Sequence, residues 1–184
     1  RQRFWGCPIP IIYREDGEIL AVVYVNNAAK VSFEDMSISG DNVGLLIQGT
    51  VPTKVELKKL IINGVKDTGI SAQGSKVEVH TESLLVQGTR PNDAFDRGQG
   101  SRISQAYLKA ERTVYDGNTY GAIACSSDHP TDVFMGRCEL SESILMNTLP
   151  VPVQGRLSGT QGYGITSWDA DVSLNRITCV SLIL

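Results

Sequence analysis

One short phrase recurs along the chain at a fixed interval. VSFEDMSISG, residues 31–40, aligns with VELKKLIING, residues 55–64, at an offset of 24 residues. Within each copy apolar and polar residues alternate, which is the two-residue period of a β-strand. A repeat of this length cannot bury its own apolar side, so we expect successive copies to stack into a solenoid.

A second phrase alternates with the first. DNVGLLIQG at residues 41–49 aligns with KDTGISAQG at residues 66–74, and both copies end in Gln-Gly. A looser copy of the first phrase, VEVHTESLLVQG, begins at Val77. Weaker copies of the second phrase surround three later glycines, Gly100, Gly121 and Gly164. Glycine, asparagine and aspartate separate the phrases, as expected for turns between short strands.

These repeats predict an all-β fold, a right-handed parallel β-helix of about five to six coils with an N-terminal hairpin or cap. A β-sandwich would show turn signals without the 24-residue self-match, and the leucine and asparagine ladder of leucine-rich repeats is absent. We expect residues 28–184 to form the β-helix domain and residues 1–27 a cap or an appended segment. The valines at 31, 55 and 77 should stack on one another, facing inward, in adjacent coils.

Three segments resemble parallel β-helix repeat regions in large surface or secreted proteins of myxobacteria and their relatives. They are VELKKLIING, VQGTRPNDAFDRGQG and GYGITSWDADVSLNRI, and the resemblance covers roughly residues 28–180. In such regions a coil ends in a Thr-Arg-Pro turn and a short loop with Asp, Arg and Gly follows, as at residues 89–91 and 96–98. The resemblance implies a β-helix outside the cell or on its surface, and it implies no particular activity.

The opening segment RQRFWGCPIPIIY, residues 1–13, resembles a motif of class I aminoacyl-tRNA synthetases of the leucyl type. The two ATP-binding signatures of that class, His-x-Gly-His and Lys-Met-Ser-Lys-Ser, are absent from the chain. We therefore do not expect aminoacylation. The stretch from Ile9 to Val25 consists of two apolar runs around Glu-Asp-Gly, which predicts a hairpin that could cover the end of the solenoid.

Composition narrows the classes of function. The net charge of −3 argues against a general nucleic-acid or anionic-membrane surface, which would need a basic excess. No apolar run approaches the ~20 residues of a membrane span. None of the four cysteines forms a C-x-x-C pair, so a structural zinc site is not expected. Cys125 and Cys138 could form a disulfide or remain buried thiols, and the state of Cys179 is equally open.

A carbohydrate-active β-helix would need outward carboxylates beside a basic residue, for acid–base chemistry or for calcium. One loop offers such a set, Arg90, Asp93, Asp96 and Arg97. A second loop offers Asp128, His129 and Asp132, followed by Arg137. The full signatures of polygalacturonases and pectate lyases are absent, so a solvated turn is the simpler interpretation. We expect no catalytic residue and no cofactor, with calcium only if the chain acts on carbohydrate.

Aromatic residues are the other candidates for binding. Tyr120 and Tyr163 precede Gly121 and Gly164, which predicts that they occupy equivalent positions and stack with each other. Together with Trp168, such a ladder would stack on sugar rings if exposed and would belong to the core if buried. His80 lies in a strand phrase, where an ordinary surface position is the simpler interpretation.

We therefore expect a non-catalytic structural or binding solenoid segment of a larger extracellular or cell-surface protein. Its partner would be a polysaccharide or another surface protein, with no nucleic acid and no membrane span. One alternative is a carbohydrate-active lyase or hydrolase of the pectate-lyase-like type. The other is a fragment related to a leucyl-type synthetase, which rests on the opening segment alone.

Overall fold

Short β-strands and turns build the described part of the chain. The computed structural model describes residues 12–13, 19–92, 97–127, 136–149 and 162–180. Within these ranges every regular secondary-structure element is a β-strand. The described residues contain no helix that is long and apolar enough to cross a membrane.

The strands form three sheets, named A, B and C in the order in which the chain visits them. Sheet A contains β1 (Ile12–Tyr13), β2 (Ile19–Asn26), β5 (Val43–Gln48), β8 (Thr68–Gln73), β11 (Gln99–Ser104), β14 (Gly121–Ser126) and β17 (Tyr163–Trp168). Sheet B contains β3 (Lys30–Glu34), β6 (Thr53–Lys58), β9 (Val77–Glu82), β12 (Tyr107–Glu111), β15 (Gly136–Ser141) and β18 (Ala170–Asn175). Sheet C contains β4 (Ser37–Ile38), β7 (Ile61–Asn63), β10 (Leu85–Gln87), β13 (Val114–Asp116), β16 (Ile144–Met146) and β19 (Thr178–Val180).

Within the described residues the chain passes through sheets A, B and C in turn six times, and each passage is one coil. Strands of neighbouring coils pair in parallel, which confirms the predicted all-β parallel solenoid. The exception is β1, which pairs antiparallel with β2 and places Ile12 opposite Ala21, as the hairpin prediction requires. The right-handed sense of the coils and the boundary at residues 27 and 28 stay predictions.

Register between coils confirms one predicted valine contact and corrects another. Val31 lies opposite Val55, as the 24-residue offset predicts. Val55 then lies opposite Val79, and Val77 pairs with Thr53, so the prediction of Val77 in this column was wrong by two residues. Because side chains alternate between the two faces with a period of two, an alignment error of two residues assigns Val77 to the correct face but to the wrong neighbour. The same 24-residue offset, continued beyond Val55, points to Val79.

The inward faces of all three sheets share one apolar core. Tyr115 of sheet C is fully buried, and its hydroxyl lies 2.9 Å from the hydroxyl of Ser101 in sheet A. A disulfide joins Cys125 of sheet A to Cys138 of sheet B, with 6.5 Å between the Cα atoms. Cys179 is a free and exposed thiol.

Each coil turns from sheet B to sheet C through one residue in the left-handed conformation. In all six coils this residue is not glycine, and its φ lies between 50° and 57°. The six corner residues are Asp35, Lys59, Ser83, Arg112, Glu142 and Arg176. Corner amides donate to the next coil, as the Ser83 amide does to the Glu111 carbonyl at 3.1 Å. That hydrogen bond holds a conformation that costs an L-residue about 1–2 kcal/mol.

Candidate functional site

A cleft of about 240 Å³ lies on the outer face of sheet A, across the fourth to sixth coils. Its lining brings together three residues that the sequence singled out and four that it did not. The lining residues are Arg97, Gln99, Arg102, Tyr120, Ala124, Ser126 and Trp168. We call this surface the sheet A cleft.

The sheet A cleft exists because the fifth coil carries small side chains on its outer face. Ile123 and Cys125 face the core, so Ala124 and Ser126 face outward in the alternation of β14. Ala124 lies opposite Arg102 in the coil before it, and Ser126 lies opposite Trp168 in the coil after it. Two coils separate Arg102 from Trp168, a distance of roughly 10 Å along the stacking direction. Small residues thus form the floor, and two large side chains form the walls.

The two arginines of the cleft differ in their partners. The Arg97 guanidinium donates to the Asp67 carboxylate at 3.4 Å, and the Thr68 hydroxyl donates to the same carboxylate at 2.7 Å. The Arg102 guanidinium has no hydrogen bond or ion pair to any residue in the described part of the chain. Its five N–H donors therefore have no acceptor among the described residues. A partly buried positive charge without a counter-ion in the described part of the chain favours an oxygen-rich or anionic group.

The aromatic residues are placed differently from the prediction. Tyr163 lies opposite Gly121, not opposite Tyr120, so the expected equivalence of the two tyrosines was wrong by one residue. A one-residue shift moves a side chain to the other face of a sheet, so Tyr120 and Tyr163 do not form a ladder. Tyr120 lines the cleft and is half-buried. Trp168 also lines it and is 56% exposed, whereas Tyr163 stands outside the lining and is 43% exposed.

The two described residues of the predicted charged loop, Arg90 and Arg97, have different partners. Arg90 donates to the Asp41 carboxylate at 2.5 Å and to the Gly64 carbonyl at 3.0 Å, so it ties the first three coils together away from the cleft. Hydrogen bonding and charge from Arg90 hold the pKa of Asp41 below its usual value. Asp93 and Asp96 lie outside the described residues, as do Asp128, His129 and Asp132. Of the two described residues of this loop, Arg97 lines the cleft and Arg90 does not.

The outer face of sheet B carries a second recess, of about 230 Å³, that the sequence did not indicate. Its charges compensate one another, as in the Lys109–Glu111 ion pair at 2.9 Å. Burial lowers the pKa of His80, whose imidazole contacts the Tyr107 ring edge-on at 5.8 Å between centroids. Burial, and the hydrogen bond that Tyr107 donates to Glu139 at 2.8 Å, raise the pKa of Tyr107 to about 12.

The guanidinium of Arg137 lies over the Tyr107 ring at 5.4 Å from its centroid. This contact leaves both Arg137 and Tyr107 engaged with neighbours on sheet B. Each described lysine and glutamate that lines the recess has an oppositely charged partner, in contrast to Arg102. Within the described ranges no group of three or more His, Cys, Asp or Glu side chains could hold a metal ion.

Comparison with known proteins returned one short match. A 21-residue segment is 76% identical to a leucine–tRNA ligase of Dichelobacter nodosus, and it covers 11% of this chain and 2% of that ligase. No family model and no solved structure matches the chain. The match agrees with the resemblance of the opening segment to leucyl-type synthetases and reaches no further.

The residues that the sequence missed carry a recognisable signal once the register is known. Arg102, Ala124 and Thr166 occupy one outward column of sheet A in successive coils. Within that column a single arginine lies next to a small residue. This abrupt change in side-chain size leaves a recess beside a polar group. The irregular offsets between the fourth and sixth coils hid this column in the sequence.

Proposed function

We propose that this chain is a non-catalytic binding segment of a larger extracellular or cell-surface protein, and that it binds a polysaccharide in the sheet A cleft. The observation that carries the proposal is that the Arg102 guanidinium, which has no partner among the described residues, lines the same cleft as the exposed Trp168 indole, with small side chains between them. An aromatic wall with a few directed polar groups is the usual lining of a small-ligand site. The indole would cover the apolar face of a sugar ring while Arg102 binds its hydroxyl or carboxylate oxygens.

The surrounding surface fits an extended ligand. Outward side chains of sheet A form an uncharged polar row, in which the Tyr24 hydroxyl donates to Gln48 at 2.9 Å and Gln48 donates to Gln73 at 3.0 Å. The row continues the outer face of the cleft toward the first coil, so several sugar units could lie along the solenoid. The disulfide between Cys125 and Cys138 is in keeping with an oxidising compartment. A right-handed β-helix of the myxobacterial surface type remains our proposal for the finer family.

Tryptophan fluorescence tests the site directly. The chain has two tryptophans, Trp5 and Trp168, so Trp5→Phe makes Trp168 the only emitter. We expect its emission to change on titration with soluble pectin, alginate or a neutral glucan. Arg102→Gln should weaken binding about tenfold or more, because hydrogen bonds to charged groups contribute roughly 1.5–3 kcal/mol.

Arg112→Gln is the matched control for this titration. It removes the same charge from an arginine that is already paired with Glu82 outside the cleft. Its binding should equal that of the parent protein. Equal losses in the Arg102 and Arg112 variants, or an emission that no glycan changes, would contradict binding at the sheet A cleft.

A carbohydrate-active lyase or hydrolase is the second candidate, and the contact of His80 with Tyr107 favours it. Burial lowers the pKa of His80, which favours the unprotonated imidazole that a general base requires, and Tyr107, whose ring it contacts, would be the general acid. Incubation with pectin and alginate, with and without calcium, tests for chain cleavage. Cleavage that His80→Ala abolishes would replace our first proposal with this one.

The third candidate, a synthetase-related RNA binder, rests on the opening segment and its short match. Phosphate contacts strengthen at low salt, so a tRNA mobility shift in low-salt buffer is the sensitive test. We expect unchanged mobility, because the net charge of −3 opposes binding to a polyanion.

A further inference from the structure

Arg102 is the only charged residue in the described strands of sheet A. These strands otherwise consist of apolar and uncharged polar residues, as in TGISAQ of β8 and GAIACS of β14. The strands of sheet B differ, because every one of the six carries at least one charged residue, as in TKVELK of β6. The charge of Arg102 is therefore an exception on its face of the solenoid and does not belong to a generally charged surface.

Register between coils explains why Arg102 has no counter-ion among the described residues. It lies opposite Ser71 in the third coil and Ala124 in the fifth, and neither of these side chains carries a charge. On sheet B, by contrast, Lys58 lies opposite Glu82 of the next coil and pairs with it at 3.9 Å. An outward charge in this solenoid can thus be paired by the neighbouring coil, and at Arg102 the neighbouring coils supply only small uncharged side chains.

The net charge of the sheet A cleft comes from Arg102 alone. None of the described lining residues is acidic. The second arginine of the lining, Arg97, lies 3.4 Å from the carboxylate of Asp67, whose side chain is 19% exposed. The opposite charges of this pair cancel, so one positive charge remains in the cleft. An anionic group on the ligand would pair with that charge, whereas a neutral sugar would leave it unpaired.

The chemistry of the two walls narrows the ligand further. A guanidinium presents its N–H donors in a planar fork that matches the two oxygens of a carboxylate. Trp168, which is 56% exposed, offers an aromatic face on which the apolar face of a sugar ring can stack. A uronic acid supplies both groups, because its ring bears a carboxylate and keeps an apolar face.

We propose that the sheet A cleft selects glycans that contain a uronic acid, with Arg102 binding one carboxylate while Trp168 covers a sugar ring. This inference rests on the proposed function and names the ligand class of the same cleft. One carboxylate for each site follows from the one positive charge that the lining leaves uncompensated. The uncharged row of Tyr24, Gln48 and Gln73 would then contact the remaining sugars without a preference for charge.

An oligogalacturonate and its fully methyl-esterified form test the selection, because they share rings and linkages and differ in charge. In the Trp5→Phe protein the emission of Trp168 reports both dissociation constants. The constant for the acid should be about tenfold or more below that for the ester, because only the acid offers a charged acceptor to the guanidinium.

Three variants assign this preference to Arg102. Arg102→Gln should abolish it, so that the acid and the ester bind equally. Arg102→Lys should keep part of the preference, since an ammonium retains the charge but not the planar fork. Arg112→Gln is the matched control and should bind like the parent protein, because it removes the same charge from an arginine that is paired with Glu82 outside the cleft.

The number and type of anionic groups are tested separately. An oligosaccharide with a single uronic acid and an oligogalacturonate of the same length should bind with nearly equal affinity, because only one carboxylate meets the guanidinium. Much tighter binding of the fully charged chain would overturn the single-carboxylate site. Tighter binding of a sulfated oligosaccharide of that length would overturn the choice of a carboxylate.

The remaining outcomes separate this inference from the proposed function. Equal dissociation constants for acid and ester in the parent protein would overturn the selection for uronic acids, although a glycan would still bind beside Trp168. A preference for the acid that survives in Arg102→Gln would also overturn it, since another group would then supply the charge. An emission of Trp168 that none of these glycans changes would contradict the proposed function itself, and the selection with it.

Discussion

The buried pair of hydroxyls between sheets A and C provides a test of how the core is held together. Tyr115 and Ser101 are both fully shielded from solvent, and their hydroxyl oxygens lie 2.9 Å apart. Tyr115→Phe removes one hydroxyl and leaves that of Ser101 buried without its partner. Ser101→Ala does the reverse. The double substitution removes both polar groups and keeps nearly the same shape.

The expected magnitudes follow from the cost of a buried polar group that has lost its hydrogen bond. Each single substitution should lower the free energy of unfolding by about 1–3 kcal/mol. The double variant should lose less than about 1 kcal/mol, because apolar replacement of both partners leaves nothing unsatisfied. The coupling between the two sites, which is the sum of the two single losses minus the loss in the double variant, should therefore be at least about 1 kcal/mol.

Equilibrium urea unfolding followed by circular dichroism measures all four proteins, with the Cys125–Cys138 disulfide kept intact. The four curves should share one slope, so that midpoints report stability alone. Losses that simply add in the double variant, within about 0.5 kcal/mol, would refute a direct contact between the two hydroxyls.

Three further predictions concern the pH dependence, the core columns and the corners. Burial raises the pKa of Tyr115 to about 12, so its contribution to the free energy of unfolding is complete below the unfolded pKa of about 10 and is lost between these two pKa values. Tyr115→Phe should flatten this loss of stability when urea unfolding is measured at a series of pH values. Parallel stability curves for the two proteins would contradict the prediction. Leu57→Ala should cost about 3–4 kcal/mol because Leu57 is fully buried, whereas Leu174→Ala should cost less than about 1 kcal/mol because Leu174 is 53% exposed, and equal midpoint shifts would show that their burial does not differ. Ser83→Gly should raise stability by about 0.5–1 kcal/mol, since glycine adopts the left-handed corner without a steric cost, and a thermal scan that shows destabilisation would count against the strain at φ 57°.

Much of the fold was predictable because the first coils keep a constant length. The 24-residue offset places Val31 opposite Val55, and the alternation of residues 55–64 identifies the inward face of β6 and β7. Later offsets vary: Ile70, Ser101 and Ile123 follow one another in a single column at intervals of 31 and 22 residues. No fixed period can anticipate such spacing.

The sheet A cleft was less predictable for the same reason. The sequence-based alignment was wrong by one residue at Gly121, which assigned the side chains to the wrong face of the sheet. The predicted tyrosine ladder followed from this error and is not found in the structure. Arg102 and Trp168 are distant in sequence, and their proximity depends on how their strands pair with β14 of the one coil between them. The sequence identified Trp168 and Arg97 as candidates, but it could not place them beside Arg102.

The recurring left-handed corner makes the length of this protein adjustable. Every corner has nearly the same backbone conformation and follows the last residue of a sheet B strand, so corner residues such as Lys59 and Ser83 mark equivalent points on adjacent coils. A gene duplication that runs from one corner to the next would insert a complete coil whose two faces match the neighbours already present. The inserted layer would bury its apolar side at once, without a change to either end. Growth by whole turns is therefore the mutation that this architecture tolerates best, and the loss or gain of a few residues within a strand is the one it tolerates least.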